Sequence, residues 1–173
     1  MMIDLRSIVI DHVRTLADED RAWPNASTAI FFYLFPVLCS VVSYFFMDLR
    51  PEIYNASLTF YGIFLGLLIN IQVALFSILQ RKWTIPEDAK SKHLKQGDEK
   101  LRIKLLKQSN SSISYLTLVC CLAAVTSLVL FVWPHKNGIG PAILAAISLH
   151  FFLTLLAIIE RLHALFAKEY TET

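Results

Sequence analysis

Apolar residues in this chain come in long blocks separated by short polar stretches. The blocks run from about Thr28 to Met47, Ala56 to Leu79, Ser111 to Trp133 and Pro141 to Ile159. Each approaches or exceeds the roughly 20 residues that cross about 30 Å of hydrocarbon. A backbone in lipid must satisfy its own hydrogen bonds, so each block predicts a helix. A transmembrane barrel would show short alternating segments instead, and these runs do not alternate. The connections Asp48–Asn55, with Arg50-Pro51, and Pro134–Gly140 are short, and the second is a turn sequence. The pattern predicts an all-α membrane protein with four transmembrane helices arranged as two hairpins.

The polar stretches carry helix signals of their own. Ile3, Leu5, Ile8, Val9, Val13 and Leu16 recur largely at helical spacing. They predict an N-terminal amphipathic helix, lying on the inner leaflet or packed on the chain's own neighbours. In the long middle loop, Thr84-Ile85-Pro86-Glu87 matches a capping box with Pro near the first turn, and Lys95-Gln96-Gly97-Asp98 reads as a stop. A second pattern begins at Glu99, with Leu101, Ile103, Leu105 and Leu106, and meets no breaker before the third span. It predicts a helical extension of that span into the cytoplasm. The expected segments are an amphipathic cytoplasmic or interfacial segment (1–24), a first hairpin (25–79), a basic loop (80–109), a second hairpin (110–161) and a tail (162–173).

Charge placement sets the orientation. The middle loop holds Arg81, Lys82, Lys90, Lys92, Lys95, Lys100, Arg102, Lys104 and Lys107, against only Arg50 and Lys136 in the two short loops. Basic residues mark the cytoplasmic side, so both termini and the long loop are expected there. The expected location is the bacterial inner membrane, multi-pass. Trp23 and Trp83 fall at expected cytoplasmic interfaces, and Tyr54 and Trp133 at outer ones. Composition agrees, with 55% hydrophobic and 17% charged residues, where a soluble domain carries about 25% charged. A net charge of +2 is too small to argue for direct nucleic-acid binding. The first twenty residues mix acids and arginines with apolar positions, unlike a signal peptide.

Candidate chemistry is sparse. Cys39, Cys120 and Cys121 lie in apolar runs and read as small apolar residues. Glu160 and His163 form a Glu-x-x-His step, but a di-iron bundle needs two such steps and further carboxylates. No metal, cofactor or catalytic residue is expected, since nucleophile elbow, phosphate loop and zinc-helix motifs are missing. In the second span Thr59, Gly62, Gly66, Asn70, Ala74 and Ser77 make one small, polar stripe. Such a stripe permits close helix approach, within a subunit, between subunits, or lining a pore. Gln72 faces differently from Asn70. His150, in the fourth span, reads as a proton-responsive switch or as a neutral ring bonded to a neighbouring helix. Pro36 removes a donor from the first span, giving a static kink or a gating hinge. The basic loop could hold anionic lipid, dock a soluble protein, or only enforce topology.

Phe60-Tyr-Gly-Ile-Phe-Leu-Gly-Leu-Leu-Ile-Asn-Ile-Gln-Val-Ala-Leu-Phe76, a basic loop, then Leu106-Lys-Gln-Ser-Asn-Ser-Ser-Ile-Ser-Tyr115 resembles small four-pass proteins of bacterial anti-phage systems. In this the segments are similar to KwaA, the membrane component of the Kiwa defence system. The resemblance covers most of the chain in layout and these segments in wording. It implies an inner-membrane homo-oligomer, with a tetramer as the expected number, that senses infection. It also implies a soluble, DNA-binding cytoplasmic partner, KwaB. The expected function is a sensor and scaffold, with a pore-forming or depolarising effector as the alternative.

Overall fold

The computed structural model describes residues 5–17, 24–46, 51–80, 89–133 and 138–171. All elements among the described residues are helical: α1 (Leu5–Thr15), α2 (Ala26–Ala29), a π-helical segment (Ile30–Leu34), α3 (Phe35–Phe46), α4 (Pro51–Gln80), α5 (Ala89–Val132) and α6 (Ile139–Thr171). Four stretches are long and apolar enough to cross a membrane: Ala26–Phe45, Glu52–Gln80, Lys100–Val132 and Ile139–Ala164. The capping box at 84–87 lies outside the described residues, as do Arg81, Lys82, Trp23 and Trp83.

The long helices pack by heptads. On α4 the buried residues are Tyr54, Tyr61, Leu68 and Leu75, each seven from the next. On α5 Leu106, Ile113, Cys120 and Ser127 form one such row, and Ser109, Leu116 and Ala123 a second three residues further on. On α6 Leu144, Phe151 and Ile158 repeat the spacing. A seven-residue repeat keeps one seam facing a partner along a left-handed crossing. Tyr61 sits at the centre with only 2% of its surface exposed. Its hydroxyl pairs with that of Ser148 at 2.7 Å, and its carbonyl accepts the Cys120 thiol at 3.0 Å. The Phe151 ring meets it edge-on at 5.5 Å.

The expected first hairpin is not a packed pair. No Cα of α3 lies within 8 Å of one in α4; α3 packs on α6, α6 on α5, and α5 on α4. The spans thus stand in the order first, fourth, third, second. The second hairpin, α5–α6, is a packed pair. Tyr54, near the start of the second span, is buried against α6, its hydroxyl oxygen 3.4 Å from where a Cβ on Gly140 would stand. Gly140 matters for another reason: a Cβ there would also come within 2.8 Å of Leu130, so glycine allows the close α5–α6 approach. Of the cysteines, Cys120 is buried and Cys121 is exposed on the apolar face of α5.

The stop expected at 95–98 does not occur. α5 runs unbroken for 44 residues, about 66 Å, through Gly97. A glycine stop commonly takes a left-handed conformation, and no described glycine has positive φ. One interior glycine costs only about 1 kcal/mol, which the helix-favouring Lys, Gln, Glu and Leu around it outweigh.

Candidate functional site

α1 is seated across α5 at the basic end of the bundle. Of its apolar set, Ile8, Val13 and Leu16 are half-buried. Leu5 and Val9 are exposed, while His12 is 1% exposed and lies flat on Tyr115, with centroids 4.0 Å apart and planes at 4°. Arg161 of α6 completes the seat. Its Nη2 donates to the Thr15 carbonyl at 2.6 Å, and its Nη1 to the hydroxyls of Thr15 and Ser112 at 3.0 and 2.7 Å. Thr15 ends α1, so this cation fills carbonyl capacity that a helix C-terminus leaves open, at the end where positive charge is favoured. Neither ring nitrogen of His12 has a partner among the described residues. Burial first, then the Arg161 guanidinium and His150, push its pKa down to about 3.

Tyr115 connects this seat to the interior. Its hydroxyl is 2.8 Å from His150 Nε2, and His150 Nδ1 is 2.9 Å from the Phe32 carbonyl. A carbonyl only accepts, so in the neutral ring Nδ1 carries the proton and Nε2 accepts from the tyrosine. Pro36 explains why that carbonyl is available. It stands four residues after Phe32 and has no N–H to offer, and the helix widens to a π form just before it. Pro36 and His150 are therefore two halves of one contact. Tyr33 stacks on the same imidazole at 5.3 Å. Among the described residues its hydroxyl is buried without a partner, as are the hydroxyls of Ser109 and Thr154.

The stripe on α4 points the other way. Thr59, Gly62, Gly66, Asn70, Ala74 and Ser77 are all exposed, opposite the heptad face that grips α5. Around a Cβ built on Gly62 or Gly66 nothing lies within 4 Å. Packing inside the subunit is therefore not what these glycines serve. Thr59 and Ser77 donate to carbonyls of their own helix, Asn55 at 3.1 Å and Val73 at 3.0 Å. The Asn70 amide has no hydrogen bond among the described residues. Gln72 turns inward and donates from Nε2 to the Ser114 hydroxyl at 2.9 Å.

The basic set divides. Arg102 is buried and donates from Nη2 to the Ile78 carbonyl at 3.2 Å, in the last turn of α4. It supports a helix end rather than a docking face. Lys100, Lys104 and Lys107 are exposed. Lys90, Lys92 and Lys95 lie on the first turns of α5. Glu160 and His163 are exposed, and no described group of three His, Cys, Asp or Glu residues converges as a metal site.

Sequence reasoning missed Arg161, Tyr115 and His12. Two sequence signals existed: an arginine just inside the end of an apolar span, and a histidine among the apolar positions of a short helix. Neither reveals its partner. No family model matches this chain, and no curated protein or solved structure matches it.

Proposed function

We propose that this chain is an oligomeric sensor and scaffold of the bacterial inner membrane, of the KwaA type in anti-phage defence. On this reading it recruits a soluble cytoplasmic, DNA-binding partner such as KwaB. The observation that carries the reading is the asymmetry of the bundle. Helix α1, the first turns of α5 and the last turns of α6 gather at one end. The span in α5 begins only at Lys100, so the helix continues beyond the apolar region by about 16 Å at that end. That end also carries the exposed lysines. The positive-inside rule makes it the cytoplasmic one.

Co-expression with the soluble product of the neighbouring gene, followed by purification in mild detergent, tests the scaffold. Stoichiometric co-purification is expected, with at least tenfold loss in a Lys100→Glu/Lys107→Glu variant. No co-purification from the unmodified chain would remove the support for a scaffold.

The outward stripe on α4 supports self-assembly. Lipid gives little push between helices, so small residues that let backbones approach become the contact, and Asn70 gains the partner that lipid does not offer. Gly66→Leu should leave the isolated subunit folded, because nothing occupies the space its side chain would enter. It should convert the detergent-solubilised oligomer to monomer in multi-angle light scattering. An unchanged mass in both Gly66→Leu and Gly62→Leu would place the subunit contact elsewhere. The internal bonds of Thr59 and Ser77 leave Asn70 as the stripe's one unbonded polar side chain, which favours assembly over a water-filled lining.

A further inference from the structure

α3 and α5 both lean on α6 but do not meet, since no Cα of one lies within 8 Å of the other. Along α3 and α6 runs a groove made of two adjoining hollows of about 280 and 410 Å³, which share Ala146 and Ile147; α5 lines only the first. At the inner hollow, Val37 of α3 stands across from Val119 and Leu122 of α5. The outer hollow lies between Val41 and Tyr44 of α3 and Ile139 and Ile143 of α6. Ala142 and Ala146, one helical turn apart, keep the floor low. From Ile139 to His150 the groove follows α6 for about 16 Å.

Its chemistry narrows the occupant. All of its lining residues lie inside the membrane-spanning stretches, so its mouth opens on hydrocarbon. No charged side chain lines it. Apart from the hydroxyls of Tyr33 and Tyr44, the polar groups along it are already engaged. Ser40 bonds the Val37 carbonyl, and both nitrogens of His150 are engaged at the closed end. The Tyr33 oxygen has no exposed surface, and Tyr44 stands at the far end of the groove from His150. The volume lies in the range of ligand sites, and an empty apolar gap forfeits dispersion contacts along its whole lining. A second helix, about 10 Å wide, would meet the bulky rims at Tyr44 and Phe45. A single extended chain meets no such obstacle.

We propose that this groove is a binding site for one acyl chain of a membrane phospholipid. The chain lies parallel to the helices, its methyl end against the His150–Tyr115 pair and its glycerol end toward Tyr44. The site does not depend on whether the protein recruits a partner.

The full chain in nanodiscs of phosphatidylethanolamine and phosphatidylglycerol, doped with phosphatidylcholine bearing a mid-chain diazirine, provides the test. After photolysis and peptide mapping, labelling normalised to exposed area should be at least fivefold higher in 33–45 and 139–150 than in 125–132 of α5, an exposed apolar stretch that lines neither the groove nor the proposed subunit contact. Ala146→Phe and Val37→Trp each fill the inner hollow. Val37 is half exposed, so its replacement leaves the folded bundle intact. Either variant should lower groove labelling about fivefold and leave the labelling of 125–132 unchanged. Labelling that follows exposure alone, or that ignores both filling variants, overturns the proposal. So does high-yield disulfide cross-linking of Val37→Cys to a second chain, which would make the occupant protein.

Discussion

Replacing His150 with alanine is expected to destabilise the bundle by about 2–3 kcal/mol, and to do so less when Pro36 is also replaced. The substitution strands two buried groups at once. The Phe32 carbonyl loses its donor, and the Tyr115 hydroxyl loses its acceptor. An unmet buried polar group costs about 1–3 kcal/mol, and values in membrane bundles lie toward the low end. In Pro36→Ala the backbone regains an N–H four residues after Phe32, so the helix can close its own bond to that carbonyl. His150→Ala should then cost about 1 kcal/mol less than in the unmodified chain. Thermal unfolding in detergent, followed by circular dichroism across the four members of the cycle, measures the coupling. Additivity within about 0.3 kcal/mol would mean that proline and histidine act independently and that the Phe32 contact carries no weight.

This pair shows where sequence and structure part company. The four spans are legible because each is an unbroken apolar run, and lipid permits such a run only helical geometry. The projection of α5 is legible too, since Leu101, Ile103, Leu105 and Leu106 lead into the third span without a breaker. The seam on α4 was available in the even spacing of Tyr54, Tyr61, Leu68 and Leu75, but Gly62 and Gly66 on the opposite face are the more conspicuous pattern. Both patterns are real packing signals, and only contacts between helices tell which one the subunit itself uses. The order of spans is less accessible. A short connection limits how far apart two helix ends can be, yet it does not require the helices to touch, so α3 lies on α6 and not on α4. His150 stands more than a hundred residues from Phe32 and Pro36, and a histidine in an apolar run advertises a need for a partner without naming one. Arg102 and Arg161 follow the same logic. A count of charges assigns both to a basic surface, whereas the fold turns each inward onto a carbonyl near the end of another helix.

Acidification from pH 7.5 to 5 is expected to lift α1 from its seat, with protection of residues 5–15 against hydrogen exchange falling about 30-fold after correction for intrinsic rates. His12 is held neutral by burial, by the Arg161 guanidinium and by His150 on α6, and its ring lies against Tyr115 of α5. On α1 itself Asp11 and Arg14 are exposed and leave the ring face alone. The seated ring titrates at about 3 against an ordinary value of 6.5, so the seated state binds fewer protons than the free helix. Its stability is fully present above pH 6.5 and is lost as the pH falls from there toward 3. At about 1.4 kcal/mol per unit, some 2 kcal/mol is gone by pH 5, which corresponds to the 30-fold change. A protonated ring there has no acceptor at either nitrogen and faces a second cation, so the helix must leave for the charge to be solvated. His12→Phe keeps the flat stack on Tyr115 and removes the titration, so its protection should not vary over the same range. Protection that stays constant in both proteins would show that His12 is not sealed at the seat. A different outcome, in which both lose α1 at pH 5, would move the sensitivity to other groups at that end of the bundle.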